Sequence, residues 1–392
     1  MSTVFTLDAS QENTQAAGVR LELASDALLT ALQVLAPAIP SRSTMPILEC
    51  VLLESDGHGL RLSATDLEIF VERSLPLSAP PFRVAVPARR LLDTLRALDT
   101  EPIVLEVASG SLQLTTAHGR YRMATLPAEE FPSRPNLEEG TELASSAEEL
   151  RQAIEQVLFA ASTDDLRPAL NGVLLEVRPE EVRLVATDGH RLVRLRSAHL
   201  FQGSVQESRN AILPARVVGM LSKMLGRDTA ETCRIRLGAN QAAFSWGGVL
   251  FVTRLIGEAY PNYEAVIPTS WERRLRIDRE AFLKALKRVA LYASTQVHQV
   301  RLHLKPGELL LEAEDLDRAN SAQETVIAEL EGEPLEIGFN AKYLTEALSH
   351  LDAAEVLLEC TRPNRAAVLK PARSENAEDV LMLIMPVMLN PY

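Results

Sequence analysis

The chain has 392 residues, of which 46% are hydrophobic and 24% charged, with a formal net charge of −13 at pH 7. These are globular values, and a single core stops growing below this length, so we expect two or three domains. The charge speaks against a nucleic-acid partner unless basic residues are concentrated locally. With no run of about 20 apolar residues and no signal-peptide pattern, a soluble, cytoplasmic protein is expected.

Cysteines and histidines give no sign of a disulfide framework or a metal site. Cys50, Cys233 and Cys360 lack CxxC spacing, and we expect buried free thiols. The seven histidines show neither HxxxH nor HExxH spacing. No metal and no cofactor are therefore predicted.

Three helical patterns, taken in chain order, open three similar segments. The first begins near Glu22 and carries Leu28, Leu32 and Leu35 on one face, with Ser25 or Asp26 predicted as its N-cap. Its counterparts begin at Glu142 and Leu275. This spacing predicts three amphipathic helices, each burying one apolar face.

Strand patterns follow each helix and lead into a related turn. The fullest version is VRLVATDGHRLVR at residues 182–194, with weaker copies at 60–72 and 309–323. In the first two copies Thr65–Asp66 aligns with Thr187–Asp188. The turn is therefore predicted to be one instance of a structural repeat.

A second helix and alternating strands complete each segment. Pro87 and Pro214 are predicted at the first helical position, and Asn340 replaces them as an N-cap in the third copy. The order predicts the α+β class, with three similar domains of paired helices on antiparallel sheets at residues 1–138, 139–268 and 269–392. Helix followed by strands occurs twice in each domain, which indicates an internal duplication.

Basic residues concentrate on three of the six helical patterns. Residues 87–98, 214–227 and 278–292 carry ten Lys or Arg against three Asp or Glu. One interpretation is that these faces meet a polyanion, and the alternative is an ordinary solvated helix face. Aromatic residues make up only 5%, so contact with a duplex backbone is favoured over base stacking.

Two other functions remain open for the turn at residues 187–191. Asp188 and His190 could form a general acid–base pair of a hydrolase, with Arg191 holding an anionic substrate. However, no nucleophile motif, Gly-rich phosphate loop or metal set accompanies them. The other alternative is a repeat-built scaffold that binds proteins without DNA.

Five motifs carry a resemblance to a known family. They are MPIL at Met45, ATDGHRL at Ala186, PNYEAVIP at Pro261, EIGFNAKYL at Glu336 and LIMP at Leu383. Over about residues 19–389 the chain closely resembles the bacterial DNA polymerase III beta subunit, the replicative sliding clamp. The resemblance implies a closed ring of two head-to-tail subunits, with helices lining a hole that duplex DNA crosses without sequence readout.

The resemblance also implies site residues and partners. DNA-facing candidates are Arg42, Arg89, Arg90, Arg96, Arg167, Arg216, Lys223, Arg227, Lys284, Lys287 and Arg288. A pocket for short peptides of the replicative polymerase, the clamp loader and repair polymerases is expected from Leu170, Thr187, Gly189, His190, Arg191, Leu192, Pro261, Val266, Leu383, Met385, Pro386 and Val387. The expected homodimer contacts are Tyr121, Met123, Leu291 and Tyr292.

Core packing is the alternative role for several of these apolar residues, namely Leu170, Val266, Leu383 and Met385 in the pocket and all four dimer residues. The chain also departs from the family pattern. About 17 residues precede the usual start, Pro168–Ala169 replaces aromatic residues, and Met388 stands at a commonly basic position before Asn390–Pro391–Tyr392.

Overall fold

The computed structural model describes residues 19–203, 207–226, 231–373 and 378–389. Three features of the sequence lie outside the described residues: the segment that precedes the usual family start, the DNA-facing candidate Arg227 and the terminal residues 390–392. Within the described ranges no helix is long and apolar enough to span a bilayer.

The order strand, helix and three strands recurs six times among the described residues, twice in each sequence repeat. The first repeat contains β1 Val19–Ala24, α1 Ser25–Leu35, β2 Cys50–Ser55, β3 Leu60–Thr65, β4 Ile69–Leu75, β5 Phe82–Pro87, α2 Ala88–Arg96, β6 Pro102–Ala108, β7 Ser111–Thr115 and β8 Arg120–Ala124. The predicted duplication within each repeat is thus present in the order of its elements.

The second and third repeats follow the same order. The second contains β9 Thr141–Ser146, α3 Ala147–Leu158, β10 Gly172–Val177, β11 Val182–Thr187, β12 Arg191–Ser197, β13 Arg209–Pro214, α4 Ala215–Met224, β14 Thr232–Leu237, β15 Gln241–Trp246 and β16 Val249–Arg254. The third contains β17 Arg273–Asp278, α5 Arg279–Ala290, β18 Gln299–Lys305, β19 Glu308–Asp315, β20 Asn320–Glu331, β21 Leu335–Asn340, α6 Ala341–His350, β22 Glu355–Cys360, β23 Ala367–Pro371 and β24 Glu378–Ile384.

The first helix of every repeat buries the same face. Four buried positions are spaced 0, 3, 4 and 7 along each helix, which places them on one side of a 3.6-residue period. They are Leu28, Ala31, Leu32 and Leu35 in α1, Leu150, Ala153, Ile154 and Val157 in α3, and Phe282, Ala285, Leu286 and Val289 in α5. Full burial of each large side chain contributes about 1.5–3 kcal/mol.

The helix starts differ from prediction in two respects. Ala24, not Ser25 or Asp26, is the N-cap of α1, because the Ser25 hydroxyl is buried and donates to the Asp99 carbonyl at 3.0 Å. Prolines precede α2 and α4 at the N-cap position, one residue earlier than expected. The expected Asn340 cap of α6 is confirmed, since its side chain accepts the Lys342 N–H at 2.9 Å.

The chain divides into two compact units. The first comprises residues up to Asn136 together with Gly248–Val252. Within it, strands follow the order β1-β6-β7-β8 in one sheet and β5-β2-β3-β4 in another. Every register between these neighbours is antiparallel, and a hairpin turn at Ser109–Gly110 joins β6 to β7.

The second unit comprises Leu137–Gly247 and Thr253 onward. Its largest sheet has twelve strands in the order β13-β10-β11-β12-β24-β23-β22-β17-β20-β19-β18-β21. The junction lies where β24 of the third repeat pairs antiparallel with β12 of the second. This pairing joins the second and third repeats into one unit, and no division of that unit near residue 268 is seen among the described residues. The domain boundaries at residues 138 and 268 stay predictions.

Candidate functional site

The turn between β11 and β12 is held by its own side chains. The Thr187 hydroxyl donates to the Arg191 carbonyl at 2.6 Å, and Asp188 Oδ1 accepts the N–H groups of His190 at 2.8 Å and Arg191 at 3.0 Å. Gly189 adopts φ +91°, a conformation that suits glycine. Thr187, Asp188 and Gly189 therefore determine the conformation of the turn locally, through Asx-type hydrogen bonds and a glycine at positive φ.

The same hydrogen bonds do not favour the acid–base interpretation of Asp188 and His190. Asp188 contacts His190 through the backbone amide, and its second oxygen accepts from Arg191 Nε at 3.1 Å. The His190 ring lies parallel to that of Tyr343, with centroids 6.2 Å apart. The carboxylate thus has a structural role in the turn.

A buried apolar layer lies beneath the turn. Leu192 on β12 and Leu383 on β24 are neighbours across the strand pair, and both are buried. They belong to a cluster with Ala169, Leu174, Val185, Ile212 and Tyr263. Leu170 and Thr187 are buried as well. Four of the twelve expected pocket residues are therefore buried, a placement that fits either the floor of a pocket or the core.

Other expected pocket residues remain accessible above this layer. Val266 is 55% exposed at the end of a short 3-10 helix, and Met385 is exposed just after β24. Gly189, His190 and Pro261 are exposed, and Pro386 and Val387 are half-buried. The Met385 N–H donates to the His190 carbonyl at 2.9 Å, which brings the end of β24 against the turn. Core packing is therefore not the role of Val266 or Met385.

Arg191 makes contacts that the sequence pattern does not reveal. Its Nη2 donates to the Phe159 carbonyl at 2.7 Å, and Nη1 pairs with Glu346 on α6. The guanidinium lies 4.6 Å from the Tyr343 ring centroid and 5.3 Å from that of Phe159. Phe159, Tyr343 and Glu346 were not among the expected site residues. Tyr343 could have been found from the sequence, because it lies in the motif EIGFNAKYL. Partial burial raises the pKa of the Tyr343 hydroxyl.

The expected DNA-facing residues are exposed wherever the structure describes them. Arg89, Arg90 and Arg96 lie on α2, Arg216 and Lys223 on α4, and Lys284, Lys287 and Arg288 on α5, whereas Arg42 and Arg167 lie in loops. The three helices are those on which the sequence concentrates basic charge. Arg42, Arg89, Arg90, Lys223 and Lys287 form no ion pair with another described residue.

Acidic neighbours engage other members of this set. Arg288 Nε lies 2.9 Å from Glu324 on β20, and Lys284 lies 2.5 Å from Glu280. Arg167 pairs with Asp164 at 3.0 Å, and Arg96 with Asp93 at 3.6 Å. The Arg288 guanidinium holds the pKa of the Glu324 carboxyl below its ordinary value. These cations are partly neutralised within the chain.

The expected dimer residues divide into three exposed and one buried. Leu291 is 81% exposed, and Tyr121 and Tyr292 are exposed, but Met123 is buried. The Met123 side chain therefore has the core role left open for it. Tyr121 and Met123 lie on β8, the edge strand of its sheet.

The cysteines match their expected role. Cys50, Cys233 and Cys360 are free and buried. Burial raises the pKa of the Cys50 thiol to about 11 and those of Cys233 and Cys360 to about 12. The thiols are therefore protonated and poorly nucleophilic at neutral pH. Among the described residues no three His, Cys, Asp or Glu side chains are grouped to hold a metal ion.

Comparison with known protein families covers nearly the whole chain. Residues 19–137 match the N-terminal domain of the DNA polymerase III beta subunit, residues 145–262 its central domain and residues 264–387 its C-terminal domain. The three-domain α+β architecture expected from the sequence is thereby confirmed.

Individual relatives agree with the family match. The beta sliding clamp of Synechococcus elongatus is 32% identical over 95% of this chain and 100% of its own length. That of Pseudomonas putida is 33% identical over 91% and 97%. A sliding clamp (DNA polymerase III subunit beta) from Pseudomonas aeruginosa, solved bound to griselimycin, superposes with a TM-score of 0.90 at 30% identity, covering 95% of this chain and all of its own. The chain therefore belongs to the DNA polymerase III beta subunit family of sliding clamps.

Proposed function

We propose that the protein is a DNA sliding clamp that encircles duplex DNA and confers processivity on a replicative polymerase. The observation that carries this proposal is the match of all three beta subunit domains, in order, on a chain that superposes with a solved clamp. The role is non-catalytic and is exercised on DNA in the cytoplasm. Partners are the replicative polymerase, the clamp loader and repair polymerases.

Exposed basic residues on α2, α4 and α5 support contact with the duplex. These helices carry cations on a chain whose net charge is −13, so the attraction to phosphates is local. Arg89 and Arg90 on α2, Lys223 on α4 and Lys287 on α5 are the stronger candidates on these helices, because none of them forms an ion pair with another described residue. Arg288 is a weaker candidate because Glu324 already engages its guanidinium.

The partner pocket is proposed at the turn between β11 and β12. Exposed Val266 precedes Ile267, which packs against the buried cluster of Leu192 and Leu383, and exposed Met385 follows Leu383 by two residues. An apolar anchor bound here would meet both exposed and buried apolar side chains. Methionine adapts its shape to different side chains, which suits a surface that serves several partners. A short peptide would gain most of its affinity from a few such anchors.

Ring closure through a head-to-tail homodimer is proposed from two strand edges. β8 is an edge strand with exposed Tyr121, Arg120 and Arg122. β20 pairs with β19 over residues 320–327 and with β17 over residues 328–331. The first part of β20 therefore has a strand partner on one side only among the described residues. Pairing β8 of one protomer with this part of β20 in the other would satisfy both edges.

Charge and apolar contacts favour the same pairing. Arg120 and Arg122 are exposed on β8, whereas Glu314 is exposed near the end of β19 and Asp317 in the turn that follows it. Opposite charges on the two edges would favour the head-to-tail arrangement over pairing of like edges. Leu291 would lose its 81% exposure at such an interface.

The test is topological retention. The protein, loaded by a clamp loader onto nicked circular DNA, should remain bound during gel filtration in high salt and should leave once the circle is linearised. Equal loss from circular and linear DNA would contradict encirclement. Retention of bound protein partners without any DNA retention would instead indicate a protein-binding scaffold.

A further inference from the structure

We propose that Arg191 serves the partner pocket as a positioning residue, and that Glu346 and Phe159 act through it. The inference rests on the proposed function, because it concerns how that pocket keeps its shape. Arg191, Asp188, Phe159, Tyr343 and Glu346 are called the Arg191 cluster below.

The Arg191 side chain has little capacity left for a partner. It is only 11% exposed, and each of its three guanidinium nitrogens already faces an acceptor: Nε the Asp188 carboxylate, Nη2 the Phe159 carbonyl and Nη1 the Glu346 carboxylate. The rings of Tyr343 and Phe159 lie close to the guanidinium. A buried cation needs such a complete set of partners, and breaking one leaves charge uncompensated.

The cluster joins elements that are far apart in the sequence. Phe159 follows α3 in the central domain, whereas Tyr343 and Glu346 lie on α6 in the C-terminal domain. Arg191 begins β12, directly after the turn whose residues line the proposed pocket. One side chain therefore sets the distance between the turn and a helix of the neighbouring domain.

A second contact keeps Phe159 in register with α6. The rings of Phe159 and His350 are stacked with centroids 4.1 Å apart and an interplanar angle of 14°. His350 Nδ1 lies 2.9 Å from the Glu346 carbonyl, so the ring is also tied to its own helix. The contact between Phe159, at the end of α3, and His350, on α6, therefore keeps two acceptors of Arg191 close together. These acceptors are the Phe159 carbonyl and the Glu346 carboxylate.

The backbone provides a separate route between the turn and α6. The Met385 N–H donates to the His190 carbonyl, and the Val387 N–H donates to Gly338 on β21 at 2.8 Å. β21 ends at Asn340, which caps α6. Removing the Glu346 carboxylate therefore loosens the side-chain route while the backbone route keeps the domain pair together. The expected defect is in pocket shape rather than in folding.

Glu346→Ala tests the inference, with Glu355→Ala as its matched control. Glu346 and Glu355 both lie in the C-terminal domain, both pair with an arginine, and their side chains are 49% and 48% exposed. Griselimycin, which is bound in the solved Pseudomonas aeruginosa clamp, serves as the probe in titration calorimetry. We expect its affinity to fall about fivefold in Glu346→Ala, less in Glu346→Gln, and to stay unchanged in Glu355→Ala.

Two further measurements separate positioning from a general structural role. In an Arg191→Ala background, Glu346→Ala should cause no additional loss of affinity, because its effect passes through Arg191. The amides of His190 and Arg191, which donate to Asp188, should exchange hydrogen faster in Glu346→Ala than in wild type or Glu355→Ala.

Each outcome decides the matter. An unchanged griselimycin affinity in Glu346→Ala, or the same loss with and without Arg191, overturns the inference. If the wild type does not bind griselimycin, the proposed pocket fails instead, and the exchange rates of the two amides then decide the positioning role alone. Unchanged exchange in that case overturns it.

Discussion

Leu67 and Gly189 occupy the same position in two copies of one turn, and both adopt a positive φ, +76° and +91°. The supporting hydrogen bonds are also alike, since Thr65 Oγ1 donates to the Ile69 carbonyl at 2.6 Å as Thr187 Oγ1 does to that of Arg191. Glycine accepts this conformation without steric cost, whereas a leucine adopts it at a cost of roughly 1–2 kcal/mol.

Leu67→Gly should therefore stabilise the N-terminal domain although it removes an apolar side chain. Leu67 is exposed, so little burial is lost, and relief of strain should exceed the entropy cost of glycine by about 0.5 kcal/mol. The change in stability is measured by urea unfolding, monitored through hydrogen exchange of the amides on β3 and β4. Leu67→Ala retains the strain and should show no gain, and a glycine variant less stable than the alanine variant would refute the argument.

Glu72→Gln should stabilise the N-terminal domain near neutral pH. Glu72 on β4 is buried, and burial raises the pKa of its carboxyl, although Arg134 at 3.1 Å and Arg61 oppose the rise. A raised folded-state pKa means that Glu72 contributes most at low pH and that this contribution is lost as pH rises through the folded pKa.

The stability difference between Glu72→Gln and wild type should therefore shrink as pH falls toward the ordinary glutamate pKa of about 4.3. Melting curves from pH 4 to pH 8 measure it. A difference that widens on acidification would show that the ion pair with Arg134 outweighs the cost of burial.

Reversing Arg89 and Arg90 to Glu should weaken retention on DNA more than Arg288→Gln does. Arg89 and Arg90 have no ion pair with another described residue, whereas Glu324 already engages Arg288. Because log affinity falls as log salt rises, each lost phosphate contact should make this negative slope shallower by about 0.9. Salt-dependent retention on nicked circles measures this, with unchanged griselimycin binding as the control. Equal effects of the two changes would contradict the ranking.

Leu291→Asp should convert the protein to monomers. Leu291 is 81% exposed, so the change should leave the fold intact while placing a charge in the proposed interface. Light scattering at micromolar concentration should report half the wild-type mass. Leu166 is 90% exposed in the central domain, and Leu166→Asp should leave the mass unchanged. A dimeric Leu291→Asp protein would exclude this residue from the interface.

Gly338→Ala should disturb the proposed pocket by displacing the C-terminal segment that packs against Gly338. A Cβ at Gly338 would lie 2.7 Å from both the Val387 carbonyl oxygen and Leu389 Cδ2, so the C-terminal segment would have to move. We expect griselimycin affinity to fall about tenfold, with the melting temperature lowered by a few degrees. Gly257→Ala, where a Cβ meets nothing within 4 Å, is the control. Wild-type affinity in Gly338→Ala would mean that the segment can shift without affecting the pocket.

The repeating fold could be predicted because its signals are local. The positions of Leu28, Leu32 and Leu35 carry apolar residues at the same helical spacing in every repeat, and the Thr-Asp turn follows its strand at a constant offset in the first two. The prediction of the α1 N-cap failed because a distant partner was involved. Ser25 is a good cap by type, but the Asp99 carbonyl, 74 residues away, accepts its hydroxyl.

The sequence indicates the candidate site only as a set of motifs. Leu170 and Val266 are both apolar members of such motifs, and sequence type does not distinguish a buried floor from an exposed wall. The contact of Arg191 with Glu346 spans 155 positions, and that of Arg288 with Glu324 joins a helix to a strand. Such pairs depend on tertiary packing, which no periodicity encodes.

Because β12 pairs with β24, we expect the proposed pocket to form late in folding. Arg191 faces Ile384 across these strands, so the chain must close a loop of nearly 200 residues before the turn and the terminal segment meet. A chain whose C-terminal domain is misfolded or clipped would retain the turn but lack its neighbouring strand. If the proposed pocket binds replication proteins, such damaged molecules would not compete with intact ones for them.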